Sequence, residues 1–303
     1  MNRRDFGELV STLRLDLGWT QFQLAEYSGL DVAVISQIER GVKKFFEPEL
    51  LFCLANALQL TTIERSEFFL AAIGLEEKQL MRQPSAGITT DVFDAKKILD
   101  RMVNLTGEIM LPAFMVDVYS DVIAANYMML AFYNVPVDMI KDATKIPGGF
   151  NTTRLNFGKD LGWRKQITEN WDAYALNSMR AFRESSLRYR ATPYFKYLMR
   201  VFRNPVEYPL FDRYWKMVSS TEQDKDMNLD HFQYVHHEFG PLSYIASVTV
   251  AVTSSGNLYL VQNLPLDQHT DEVFNMLKTE VGQGVVHLAS WPEKPIPRWD
   301  EAL

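Results

Sequence analysis

Apolar positions between Phe6 and Ala72 recur at helical spacing. Phe6, Leu9, Val10 and Leu13 stand three and four residues apart, with Leu17 a turn later. Leu50, Leu51, Leu54, Ala55 and Leu58 repeat the pattern, and Phe68, Phe69 and Ala72 suit a closing helix before Gly74. Such stripes predict amphipathic helices around one core. Periodicity then lapses over Glu76 to about Val92, where EEKQLMRQPSAGITTD carries Pro84, Ser85 and Gly87, as a linker does. A helical stripe resumes after Phe93 with Ile98, Leu99, Met102, Val103 and Leu105. From there the pattern alternates. LPAFMVD reads as a strand, YSD as a tight turn and VIAA as the partner strand, with Asn126 as N-cap of a helix (NYMMLAFY). HFQYVHHE, LSYIASVTVAVT and NLYLVQNL read as three more strands, joined by turns at Phe239–Leu242 and Ser254–Gly256. Between the two groups lies a helical insertion, roughly Leu161 to Phe202. The expected architecture is α+β: a five-helix bundle over residues 1–75, a linker over 76–92, and a domain over 93–303 built on a five-stranded antiparallel sheet with helices across one face.

The punctuation of Thr20–Gly41 sharpens the first half. Thr20 suits an N-cap and Asp31 a second one. Ala25 is small where two helices must cross. Gly29 falls at a turn that wants positive φ, and Gly41 follows Arg40 where a helix ends. Leu30, Ile35 and Ile38 face inward. Together these fit two helices joined by a short glycine-containing turn, a helix-turn-helix; the structural alternative is a helical hairpin inside a core.

Residues 3–74, through RLDLGWTQ, LAEYSGL, ISQIERG and LANALQL, resemble the repressor-type helix-turn-helix (XRE) family. The resemblance implies a partly buried ion pair between Arg14 and Glu39, and a second motif helix, about Val32 to Arg40, that enters the major groove. Its outward positions are Val32, Ala33, Ser36 and Gln37. Gln37 suits an adenine edge, and the small apolar residues suit thymine methyls. Gln21, Arg40, Lys43 and Lys44 are placed to hold phosphates. The family often has polar residues where Val32 and Ala33 stand, which shifts specificity toward methyl contact and DNA shape. Charge limits affinity. The chain carries a net charge of −7, and residues 1–83 hold nine Lys or Arg against twelve Asp or Glu. A single module so poor in base binds weakly in salt. Two copies on half-sites about 34 Å apart, hence a homodimer on double-stranded DNA, are expected.

The strand–turn–strand–helix order around Asn126 is how PAS-type sensor domains begin. Residues of about 107–280 resemble the MmyB-like ligand-binding domain, a PAS-like fold, through PAFMVDVYSDVIAAN, WDAYALNSMRAFR, PLFDRYWKM, HHEFGPLSY and YLVQNLPL in that order. That resemblance implies a transcription regulator with an apolar small molecule in a pocket, a fatty acid being one class. Thirteen Met and nineteen Phe suit an adaptable apolar site. Candidate lining residues are Phe114, Met115, Asn126, Met128, Met129, Phe132 and Met179. Arg180 and Arg183 are candidates for a carboxylate, with Tyr234 and Tyr244 as neutral donors. Each of these also reads as ordinary core or surface.

Other chemistries find little support. Cys53, the one cysteine, sits on a core face of the fourth helix and reads as a small buried hydrophobe. The histidines His231, His236 and His237 with Glu238 do not converge as metal ligands must, since neighbours on a strand point to opposite faces. No nucleophile elbow, Walker loop or dinucleotide fingerprint is present, so no enzyme and no certain cofactor is expected; haem or flavin stays open, without an attachment motif. No apolar run is long enough to span a membrane, and a cytoplasmic protein is expected. The second domain could instead be a protein-interaction or dimerisation module without a small ligand.

Overall fold

The computed structural model describes residues 2–73, 95–143, 145–146, 148–159, 171–220, 231–253 and 255–295. The expected linker, Ser254 of the last turn and the start of the helical insertion lie outside them. The chain forms two compact units. One comprises Met1–Ile88 together with Arg183–Tyr197 and Trp215–Glu222; the other comprises Thr89–Phe182, Leu198–Tyr214 and Gln223–Leu303.

In the first unit five helices follow the sequence pattern: α1 (Arg3–Asp16), α2 (Gln21–Ser28), α3 (Val32–Glu39), α4 (Pro48–Ala57) and α5 (Thr62–Ala72). Their starts are fixed by side chains. The Asn2 side chain accepts from the Asp5 amide at 2.9 Å while the Asp5 carboxylate accepts from the Asn2 amide at 3.0 Å. Thr20 with Gln23 and Thr61 with Glu64 form the same reciprocal box. Asp31 caps α3 by accepting from the Ala33 amide at 2.7 Å. Gly29 takes φ 67°, as the turn demands. Gly7 allows α1 to lie against the end of α3, because a Cβ there would meet the Ile38 carbonyl oxygen at 2.4 Å. Phe6, Leu9, Leu24, Ile35, Ile38, Leu54 and Phe68 are buried at the centre. Each such side chain contributes on the order of 2 kcal/mol. Leu187 packs into the same core. Cys53, expected to be buried, is only half-buried, because it flanks the inward stripe of α4 rather than belonging to it.

The second unit holds a six-stranded, wholly antiparallel sheet in the order β3-β4-β5-β1-β2-β6. The strands are β1 (Ala113–Asp117), β2 (Val122–Asn126), β3 (His231–His236), β4 (Gly240–Ala251), β5 (Leu258–Pro265) and β6 (Val285–His287). The expectation of five strands missed β6. Three residues after Gly282 and Gly284 carry too little alternation to announce a strand, and pairing with β2 supplies the order. The helices are α6 (Ala95–Glu108), α7 (Tyr127–Phe132), α8 (Val137–Asp142), α9 (Thr152–Phe157), α10 (Trp171–Ser186), α11 (Pro193–Phe202), α12 (Phe211–Ser220) and α13 (Gln268–Val281). Residues of α10, α11 and α12 divide between the two units.

Helices cover both sheet faces, not one. Strand alternation sends Met115 to one side, where it packs with Val103, Leu99 and Met102 of α6. Phe114 and Val116 go to the other side, with Met129, Leu130 and Leu155. A register shift between Met115 and Val116 lets Ile123 and Ala124 of β2 both join the α6 side. Leu105, read into the α6 stripe, is 47% exposed, since it lies a quarter-turn or more from the buried Val103 line. A buried ionic group fixes the β1–β2 turn. Lys294 Nζ lies 2.5 Å from Asp117 Oδ2 and 2.7 Å from Asp121 Oδ2, and Asn151 Nδ2 donates to Asp121 Oδ1 at 2.8 Å. Burial, with Asp121 beside it, outweighs Lys294 and pushes the Asp117 carboxyl up to about 6.

Candidate functional site

The DNA-facing candidates gather on α3 and its surroundings. Val32, Ala33 and Gln37 are exposed along one side of α3, with Ser36 half-buried beside them. Ile35 and Ile38 hold the opposite side in the core. The helix is braced from behind. Arg14 Nε donates to Glu39 Oε1 at 2.6 Å and Arg14 Nη2 to Glu39 Oε2 at 3.0 Å, with both side chains nearly buried. This is the pair that the family resemblance implies, and it ties α1 to α3. Gln21 Nε2 donates to Glu39 Oε2 at 2.8 Å, so this side chain, expected to hold a phosphate, joins the brace. Arg40 is exposed, its Nε donating to the Ser36 carbonyl at 3.2 Å. Lys43 is partly covered and stands 3.8 Å from Glu47, while Lys44 is exposed. The arrangement presents a short, mostly neutral ridge with one bidentate amide, Gln37, and cations at its C-terminal end.

The second candidate is a cavity of about 60 Å³ within the sheet unit, lined by Phe114, Val122, Ala125, Met129, Leu130, Tyr133, Val135, Phe150, Thr152, Leu155, Asn156 and Tyr174. Of the residues expected around a pocket, Phe114 and Met129 line it. Asn126 does what its place as N-cap predicts, accepting from the Met129 amide at 2.9 Å, and its Nδ2 donates to the Leu111 carbonyl at 2.8 Å. Met128, Phe132, Tyr234 and Tyr244 belong to a packed cluster with Phe274 and Leu277 of α13. Met115 faces α6, and Met179 is fully buried away from the lining. Arg180 is half-buried and also outside it. The sequence reading missed Tyr133, Asn156 and Tyr174. Tyr133 was within reach, because it lies one helical turn beyond Met129, whereas Met128 and Phe132 share the adjacent stripe.

These polar residues form a network. Tyr133 and Tyr244 share a hydrogen bond of 2.8 Å between their hydroxyls. Tyr174 donates to Asn156 Oδ1 at 3.1 Å, and Asn156 Nδ2 donates to Ser178 Oγ at 2.8 Å. Burial pushes the Tyr174 phenol up to about 12 and the Tyr133 and Tyr244 phenols upward as well, so all three are neutral near pH 7.

Arg183 lies elsewhere. In the first unit Arg183 Nε donates to Glu64 Oε1 at 3.1 Å, Arg183 Nη2 to Glu64 Oε2 at 3.2 Å, and Arg190 Nη2 donates to Glu64 Oε1 as well. The Glu64 side chain is wholly buried. Burial alone would raise its carboxyl; Arg190 and Arg183 overcome that and hold it at about 2. Both guanidinium groups stack over Trp215, 5.0 and 5.1 Å from the ring centre. Trp215 Nε1 donates to Asp16 Oδ2 at 2.9 Å, and Thr61 Oγ1 to Glu184 Oε1 at 3.1 Å.

The histidines do not assemble a metal site; among the described residues no group of three or more His, Cys, Asp or Glu is placed to hold an ion. His236 Nδ1 accepts from the Glu238 and Phe239 amides at 3.1 and 3.3 Å, which fixes the β3–β4 turn. His237 lies in that turn, beyond the end of the strand alternation, and its ring sits 4.6 Å from that of His236 rather than on the opposite face.

A helix-turn-helix in a five-helix bundle, followed by an antiparallel sheet domain, is the plan of a transcription regulator with a ligand-binding-type second domain. The model of the MmyB-like transcription regulator ligand binding domain matches residues 97–277, and a helix-turn-helix model matches residues 10–64. The chain belongs to the MmyB-like transcription regulator ligand binding domain family. No curated protein matches the chain. Among the described residues no helix is long and apolar enough to cross a membrane.

Proposed function

We propose that this protein is a homodimeric, cytoplasmic regulator that reads a specific operator through α3 and changes its DNA affinity when an apolar small molecule occupies the cavity beside Phe114 and Met129. One observation carries the link between sensing and reading. Glu64, in the last helix of the helix-turn-helix bundle, holds Arg183 and Arg190, which come from the stretch of chain matched by the ligand-binding family. The bundle that reads DNA is therefore completed by residues of the sensor's own sequence. Ligand that favours one arrangement of α10 then favours one state of the bundle. A coupling of about 1–3 kcal/mol changes operator affinity roughly 5–150-fold. The helix α6, which follows the chain between the two parts, is the second route by which the spacing of two reading helices changes.

For base readout we propose Gln37 on an adenine, with Val32 and Ala33 against thymine methyls, and Arg40 and Lys44 on phosphates. A dimer-forming role of the same second domain is favoured by the apolar end of β4, where Val248 and Val250 are about half exposed; it is compatible with ligand binding. The test is operator binding by the full chain and by Arg190→Met, each with and without bound ligand. The proposal expects the ligand response to shrink in Arg190→Met; a response of unchanged size would refute the link through Glu64.

A further inference from the structure

Phe45 is the most exposed large apolar side chain among the described residues, at 78%. Its neighbour Phe46 turns the other way. The Phe46 ring meets Phe6 edge-on at 5.1 Å, packs against the bundle core and carries the Arg3 guanidinium 5.9 Å from its centre. The loop that holds both rings is pinned. The Gln37 carbonyl accepts from the Val42 and Lys43 amides at 3.0 and 3.3 Å, and the Lys43 carbonyl accepts from Arg3 Nη1 at 3.2 Å. Gly41, at φ 70°, lets the chain turn close against α1, where a Cβ would meet the Arg4 Cα at 2.8 Å. Pro48 then opens α4. Phe45 thus projects from a loop hung on Gln37, the residue whose side chain is placed to read a base. An apolar ring held in water gains free energy when a partner buries it. Its neighbours indicate which partner. Arg3, Arg4, Arg40 and Lys44 are exposed around the loop, and Lys43 is partly covered. Glu8 stands 3.4 Å from Arg4 and Glu47 3.8 Å from Lys43. An apolar ring set among cations suits a polyanion with an apolar interior, which is what a stacked duplex is.

We propose that Phe45 enters the minor groove beside the half-site read by α3, wedges between base pairs there and bends the operator. This rests on the reading of α3 as the helix in the major groove. The chain leaving the C-terminal end of such a helix meets the phosphate ridge, and the minor groove opens on the far side of it. Arg3, Arg40 and Lys44 hold the ridge while the ring reaches past it. A wedge of this kind partly unstacks one base step, and pyrimidine–purine steps yield most readily. Phe45 therefore adds sequence preference at base pairs that no side chain of α3 touches. That suits a ridge on which Val32 and Ala33 offer no hydrogen bonds, because deformability of the duplex then supplies part of the specificity. It also suits a reader poor in cations, since apolar contact is not screened by salt.

The experiment compares the full chain with Phe45→Ser and Phe45→Leu on an operator selected from random duplexes and labelled with a dye at each end. Phe45→Ser is expected to bind about tenfold more weakly, the loss of one buried apolar side chain. Its salt dependence should stay as it was, because no cation is removed. Energy transfer between the dyes should fall toward that of the free duplex, and the preference for a pyrimidine–purine step beside the half-site should disappear from the selected sequences. Phe45→Leu keeps an apolar wedge and should retain most of the bend and the affinity. Unchanged affinity and bend in Phe45→Ser would overturn the wedge, and so would equal losses in the two variants. Sedimentation of the free proteins adds a further check: a shift toward monomer in Phe45→Ser would assign the ring to contact between two copies instead. In each of these outcomes an operator is still selected and the reading of α3 stands. If the unaltered chain selects no operator, that reading falls, and this inference with it.

Discussion

Two buried charge clusters, one in each unit, are built in opposite proportion. In the first unit one carboxylate, Glu64, is shared by two guanidinium groups, Arg183 and Arg190. In the second unit one ammonium, Lys294, is shared by two carboxylates, Asp117 and Asp121. Burial penalises charge in both. Where cations outnumber the carboxylate, its ionised form is held and its pKa falls to about 2; where carboxylates outnumber the cation, Asp117 rises to about 6. Burial alone does not set the direction of a shift. The local ratio of charges does, and the two units should answer pH with opposite sign.

The largest expected effect comes from breaking the first cluster. Glu64→Ala leaves two guanidinium groups buried without a counter-charge and should destabilise the first unit by about 3–5 kcal/mol, read from chemical denaturation. Lys294→Met leaves two adjacent carboxylates without their cation. The expected loss is about 3 kcal/mol in the second unit near pH 7, relieved on acidification as Asp117 takes up a proton.

The pH response sharpens the contrast. The folded-state pKa of Asp117 lies above its ordinary 3.8, so its ionised form costs stability above about pH 6, and that cost is relieved as pH falls from 6 toward 4. For Glu64 the folded value lies below the ordinary 4.5, so its contribution is present above pH 4.5 and is lost as pH falls toward 2. Thermal denaturation between pH 7 and pH 4.5 should therefore show an acid-side gain from Asp117, abolished by Asp117→Asn, with no change from Glu64. A loss of stability over that window traced to Asp117 would contradict the account of the second cluster.

Smaller effects fall on the reading helix. Gln37→Ala should weaken operator binding by about 1–3 kcal/mol while sparing non-specific DNA. Lys44→Ala should weaken both alike and lower the salt dependence by about one ion. Equal loss on all sequences for Gln37→Ala would remove it from base readout. Competition titrations at two salt concentrations distinguish these outcomes.

The two halves of the chain also differ in how far they could be read in advance. The bundle is specified locally. Thr20, Gly29, Asp31 and Gly41 mark turns and caps within a few residues of where they act, so α2 and α3 stand where the pattern places them. The cavity is specified by contacts between distant elements. Phe114 and Met129 were named together with their neighbours Met115 and Met128, because the local pattern does not say which face of a strand or helix lines the cavity and which packs elsewhere. Tyr174 and Asn156 meet only through folding of α9 against α10. The choice of Met128 and Phe132 over Tyr133 is a one-residue error in helix phase, and phase is decided by α13, which contributes Phe274 and Leu277 to their cluster. Arg183 looked like an anion site because a basic residue on an aromatic helix carries no mark of its partner, Glu64, more than a hundred residues earlier.

The most direct measurement is the affinity of the full chain for its operator, selected from random duplexes, with the cavity empty and with it saturated by the tightest-binding member of a series of straight-chain alcohols and fatty acids, occupancy being checked by calorimetry. A change of roughly 5–150-fold in either direction is predicted. Identical affinity at demonstrated full occupancy would contradict the claim that this domain informs the reader of DNA.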